Sequence, residues 1–103
     1  MIVAVLQHNG NTIKNHVGWP DTVFVKFDAE ESPGIKPSDY DTYFYGGGGE
    51  DHVHCSDLKW GKYYLYAVGI DSSGPFRVTG GLAVKIKYSE RRRPVIINIP
   101  VTE

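Results

Sequence analysis

The densest run of chemically capable side chains is GGGGEDHVHCSD at 46–57, where Glu50, Asp51, His52, His54 and Cys55 fall within six positions. Carboxylate, imidazole and thiolate are the ligand types of zinc and related divalent metals. A histidine beside a cysteine is also the pair from which a nucleophilic thiolate is built. The backbone decides which chemistry is open. In a β-strand, successive side chains point to opposite faces. His52 and His54 then share one face, and Val53 and Cys55 the other. His-x-His on a strand face is a two-ligand metal arrangement that wants a third donor, for which Glu50, His8 and His16 are the candidates. Cys55 is removed from that set and from reach of the His54 ring, and reads as a small core residue. The glycines at 46–49 read as the connection into the strand, since glycine reaches left-handed backbone conformations without steric cost.

Other catalytic patterns are missing from the sequence. There is no G-x-S-x-G elbow, and the glycine run lacks the Lys-Ser/Thr of a phosphate loop and precedes no helical pattern. The acid pairs Glu30-Glu31 and Glu50-Asp51 read as solvated loop charges. No motif calls for a cofactor.

The elements that must carry these residues read as strands. IVAVLQ (2–7) is a β-rich run closed by the turn signal HNGN. TVFVKF (22–27) alternates, with Val23, Val25 and Phe27 on one face and Thr22, Phe24 and Lys26 on the other. EESPGIKPSD (30–39) reads as a loop, with only a short helical turn expected within 28–40. DTYFY (41–45), DHVHCSDL (51–58) and GKYYLYAVGID (61–71) follow as strands, and SSGP (72–75) breaks the pattern. LAVKIKY (82–88) and PVIINIPV (94–101) complete the set; Val95, Ile97, Ile99 and Val101 share a face, with Pro94 and Pro100 near the strand ends. No segment of useful length has a helical apolar period. Roughly seven short strands separated by turn signals predict one all-β domain over 1–103, an antiparallel β-sandwich.

Composition narrows the function classes. Eleven basic residues against twelve acidic ones leave no field to attract nucleic acid, and the one basic cluster, Arg91-Arg92-Arg93, is expected in a solvated hairpin loop. A single cysteine makes no intrachain disulfide. No run of apolar residues is long enough for a transmembrane helix. Strand-like sequence begins at Ile2, directly after Met1, which raises the expectation that an export signal preceded this chain.

The run DLKWGKYYLYAVGID at 57–71 resembles the L-x-x-G-x-Y-x-L-x-A signature of the transthyretin-like, or carboxypeptidase-regulatory-like, β-sandwich domains. Leu58 stands at the leucine of that pattern, Gly61 at its turn glycine, and Tyr63, Leu65 and Ala67 at the inward positions that follow. GGLAVKIKY…PVIINIPV (80–101) is similar to the family's closing strand pair, and the segment to Phe27 looks like its opening. The resemblance implies a transthyretin-like sandwich and a small bacterial envelope or surface module, often a lipoprotein, with the periplasm or cell surface as its location. One branch of that superfamily hydrolyses 5-hydroxyisourate and ends in Y-R-G-S. This chain ends NIPVTE and Tyr88 leads into SERRRP, so only His8, near the end of the first strand, matches that branch.

What remains is binding. Sheet edges offer a route to a protein partner or to self-association. The alternative is carbohydrate. If Tyr63 and Leu65 face in, Tyr64 and Tyr66 face out. Tyr43 or Tyr45 and Trp60 could join them in an aromatic platform for the apolar face of a sugar ring. Trp19 is expected to cover one end of the sandwich.

Overall fold

The computed structural model describes residues 2–8, 11–12, 21–46, 52–56, 58, 60–71, 76–87, 89 and 94–102. The turn expected at 8–11, the glycine connection, Glu50, His16, Trp19, Tyr88, the 72–75 break and the arginine run lie wholly or partly outside those residues.

The described chain is all-β. Its strands are β1 (Ile2–His8), β2 (Asn11–Thr12), β3 (Thr22–Phe27), β4 (Thr42–Tyr45), β5 (Val53–Cys55), β6 (Gly61–Asp71), β7 (Phe76–Ile86) and β8 (Val95–Pro100). A single 3-10 turn, Pro37–Asp39, interrupts the long loop before β4. The strands form two sheets, as expected for a small sandwich. In the first, β8 runs along one edge of β1 from Ile2 to Gln7, while β5 and β2 pair with β1 at its two ends. In the second, the order is β4-β3-β6-β7. Every pairing is antiparallel except β1 with β8, the first and last strands, which run parallel.

The core lies where the period-two pattern puts it. Ile2, Ala4 and Leu6 of β1 meet Val23 and Val25 of β3, Leu65 and Ala67 of β6, and Ile86 of β7, all at most 1% exposed. Each fully buried aliphatic of this kind contributes about 1.5–3 kcal/mol relative to an exposed one. Tyr63 and Leu58 are buried beside them, Ile99 and Val101 close the β8 side, and Ile97 packs partly buried. Gly61, at the turn into β6, has φ +146°, a conformation open to glycine and strained for any other residue.

Three expectations change. Phe27 does not join Val23 and Val25; it is 47% exposed, because β3 ends there and the chain turns through Asp28 at φ 52°. Its ring instead sits edge-on to Tyr63. The strand expected over 51–58 is only Val53–Cys55. The strand expected to begin at Leu82 begins at Phe76, running through Gly80 and Gly81. Those glycines mark close approach of other segments. A Cβ on Gly80 would meet the Pro100 carbonyl, and one on Gly81 would meet the Tyr64 hydroxyl. At Gly80 the two sheets are tied together, with Thr79 and Thr102 exchanging backbone hydrogen bonds of 2.8 and 2.9 Å.

Candidate functional site

On β4, β3 and β6 of the second sheet, several adjoining outward positions carry aromatic rings. Register places Tyr43 beside Phe24 and Phe24 beside Tyr66, with Tyr45 beside Thr22 at the strand end. Because Val23, Val25, Leu65 and Ala67 point into the core, their neighbours in sequence point to solvent. The rings form one continuous surface. Phe24 lies 6.1 Å from Tyr43 and 6.4 Å from Tyr66, and Tyr43 lies 6.4 Å from Tyr45 with the planes 26° apart. Tyr43 and Tyr45 are 58% and 66% exposed, so the edge strand carries the accessible part.

A loop residue completes this surface. Tyr40 stacks on Tyr66 at 5.8 Å and 13°, and lies 5.9 Å from Phe24. Its hydroxyl donates to the Gly34 carbonyl at 2.8 Å. Asp39, in the 3-10 turn, accepts from the Lys36 amide through its side chain, so the loop is held by its own hydrogen bonds. Asp41 anchors the loop to β3: its Oδ2 accepts from the Phe27 amide at 2.8 Å and its Oδ1 lies 3.4 Å from the Lys26 ammonium. The Phe27 amide, aided by Lys26, holds the Asp41 carboxyl below its usual range, leaving it an ionised acceptor. Lys62 of β6 pairs with Glu30 at the start of the same loop.

Between loop and edge strand lies an open groove of about 510 Å³. Phe24, Tyr40 and Tyr43 supply its aromatic wall, and Thr22, Ser38, Asp41 and Thr42 its polar groups.

The structure thus rearranges the expected platform. Tyr64 and Tyr66 do point outward, but both are only half-exposed. Tyr40 packs against Tyr66, and Tyr64 lies over Gly81. Tyr45 belongs to the surface as expected, with Tyr43. Trp60 does not. It lies in a second groove, of about 380 Å³, with Phe27, Leu58 and Tyr63. That groove is at the Phe27 end of β3, and Tyr45 pairs at the Thr22 end, five residues or roughly 17 Å away. Phe24 was legible as an outward aromatic in the alternation of TVFVKF. Tyr40 was not, because only the path of the loop brings it back over β6.

The histidine cluster separates as strand geometry requires. Val53 and Cys55 are fully buried, and His54 is exposed on the other face. The His52 and His54 Nε2 atoms converge to 2.8 Å. His8 shares the buried face of β1 with Ala4 and Leu6, so it lies on the opposite side of the sheet and is not their third partner. Among the described residues, no three of His, Cys, Asp and Glu come together as a metal cage. Burial pushes the Cys55 thiol up to about 12, which keeps it protonated and inert.

One buried carboxyl stands apart. Asp21, immediately before β3, has no exposed surface. A Cβ on Gly69 would come within 2.6 Å of its Oδ1, so glycine leaves the room it occupies. Burial pushes its pKa up to about 7.

Among the described residues, no helix is long and apolar enough to cross a membrane. No family model, curated protein or solved structure matches the chain.

Proposed function

We propose that this chain is a non-catalytic β-sandwich module of the transthyretin-like kind, a surface or envelope domain, and that it binds carbohydrate on the outer aromatic face of its second sheet. The carrying observation is the pair Tyr43 and Tyr45, near-parallel, more than half exposed and continuous with Phe24, Tyr66 and Tyr40. Aromatic faces suit the C–H face of a pyranose ring. The adjoining hydroxyls of Thr22 and Ser38 and the ionised Asp41 suit its hydroxyl groups. Chemistry by the cysteine is disfavoured, because its thiol is in the core and the nearest histidines are on the opposite face.

A glycan array tests this reading. Wild type and a Trp60→Ala variant are expected to bind the same glycans, and a Tyr43→Ala/Tyr45→Ala double variant to lose them. A wild-type chain that binds no glycan, or a double variant that binds as wild type does, overturns it.

A second reading is a protein interaction, specifically edge-to-edge pairing of two copies through β8. It is favoured by Ile96, which is 70% exposed on that strand, and by the β8 edge away from β1, which pairs with no strand along its length among the described residues. Sedimentation equilibrium separates the readings: a monomer at every concentration removes the second.

A further inference from the structure

We propose that His52 and His54 form a two-point binding site for a divalent transition metal, Cu(II) or Ni(II) in preference to Zn(II), on the outer face of the first sheet. The geometry brings two imidazole nitrogens to one point. The two Nε2 atoms are 2.8 Å apart, with ring planes at 80° and centroids at 4.6 Å. Imidazole nitrogen sits about 2.0–2.1 Å from such an ion, so two nitrogens subtending 90° at the metal lie about 2.9 Å apart, whereas a tetrahedral pair lies about 3.3–3.4 Å apart. The observed separation brings both nitrogens within reach of one ion, and the preference for Cu(II) and Ni(II) follows from the general affinity order of divalent metals for nitrogen donors.

The spacing is held by the sheet beneath it. Val53, between the two histidines, is fully buried and faces Ala4, while His54 faces Val3 and Cys55 faces Ile2 across the β1–β5 pairing. With the intervening side chain in the core, the two rings are committed to one face.

In the metal-free pair, one Nε2–H donates to the other Nε2. Binding needs both Nε2 lone pairs. The donated proton passes through solvent to Nδ1 of the same ring, so the neutral pair changes tautomer without net proton release and without redox change. Of the described residues that carry ligand groups, His8 and Cys55 add no donor, since both lie on the core side of the sheet. The site shares no residue with the aromatic face, so either can fail without the other.

The test is titration calorimetry of the tag-free chain with Cu(II), Ni(II) and Zn(II) salts, repeated on His52→Gln, His54→Gln and the double variant. Both histidines lie on the sheet's outer face, and matching thermal unfolding of the metal-free variants checks that the fold is kept. One equivalent of metal is expected, with Cu(II) bound most tightly and Ni(II) ahead of Zn(II). Each single replacement should weaken Ni(II) binding on the order of a hundredfold, the gain from linking two donors. Electron paramagnetic resonance of the Cu(II) form should show two coordinated imidazoles. Absence of binding, unchanged affinity in the double variant, or Zn(II) bound more tightly than Ni(II) overturns the proposal.

Discussion

Replacing Asp21 by Asn should remove a pH-dependent loss of stability. The carboxyl has no exposed surface, and burial raises its pKa from 3.8 to about 7. Between those values the unfolded chain has released the proton and the folded chain retains it. Stability therefore falls as pH rises, because the folded state binds more protons. The contribution is fully present below pH 3.8 and is lost as pH rises through about 7. The span from 3.8 to about 7, at roughly 1.4 kcal/mol per pH unit, comes to about 4 kcal/mol. That is a large share of the roughly 5–15 kcal/mol that holds a domain folded. Asparagine matches the carboxyl in shape and does not ionise. Urea unfolding of wild type and Asp21→Asn, followed by tryptophan fluorescence from about pH 4 to about pH 8, isolates this group, because other carboxylates such as Asp41 contribute equally to both proteins. The two proteins should have similar stability at the acid end, and the variant should be ahead by up to about 4 kcal/mol at the alkaline end. A difference that stays flat across the range, or grows toward acid, refutes the reasoning.

Two further perturbations probe the frame of the fold. Gly80→Ala places a methyl group against the Pro100 carbonyl and within 3.0 Å of the Val101 Cα, so the Thr79–Thr102 pair must open. Two backbone hydrogen bonds at about 1 kcal/mol each, with partial exposure of Val101, predict a loss of about 3–5 kcal/mol in denaturant unfolding; a loss below about 1 kcal/mol would show that the joint yields freely. Tyr40→Phe should cost about 1 kcal/mol through the lost bond to Gly34, and Tyr40→Ala about 3 kcal/mol through the lost ring contacts. The alanine variant alone should speed proteolysis within the 28–41 loop, and equal cleavage of the two variants would contradict the role given to the ring.

Much of the fold was legible because period-two alternation is a local property. Apart from Phe27, TVFVKF and GKYYLYAVGID carry their inward and outward faces in the identity of alternate residues, and both strands have the bounds read from them. The same alternation separated Cys55 from His52 and His54 and placed Tyr64 and Tyr66 outward, since a side chain's face follows from its parity once one neighbour is known to be buried. Gly61 was readable for a similar reason, as a backbone conformation that one residue type alone reaches without strain.

Only the tertiary structure decided what lies beside what across the chain. Gly80 and Gly81 lie before the strand read from Leu82, and are the points where Pro100 and Tyr64 approach β7. Tyr40 carries no local sign that it stacks on Tyr66, twenty-six residues away in sequence, because that contact depends on the path of a loop anchored by Asp41. Trp60 looked like a partner for Tyr45 until strand register put the length of β3 between them. Alternation assigns a side chain to a face. Register and loop path assign its neighbours, and binding surfaces are made of neighbours.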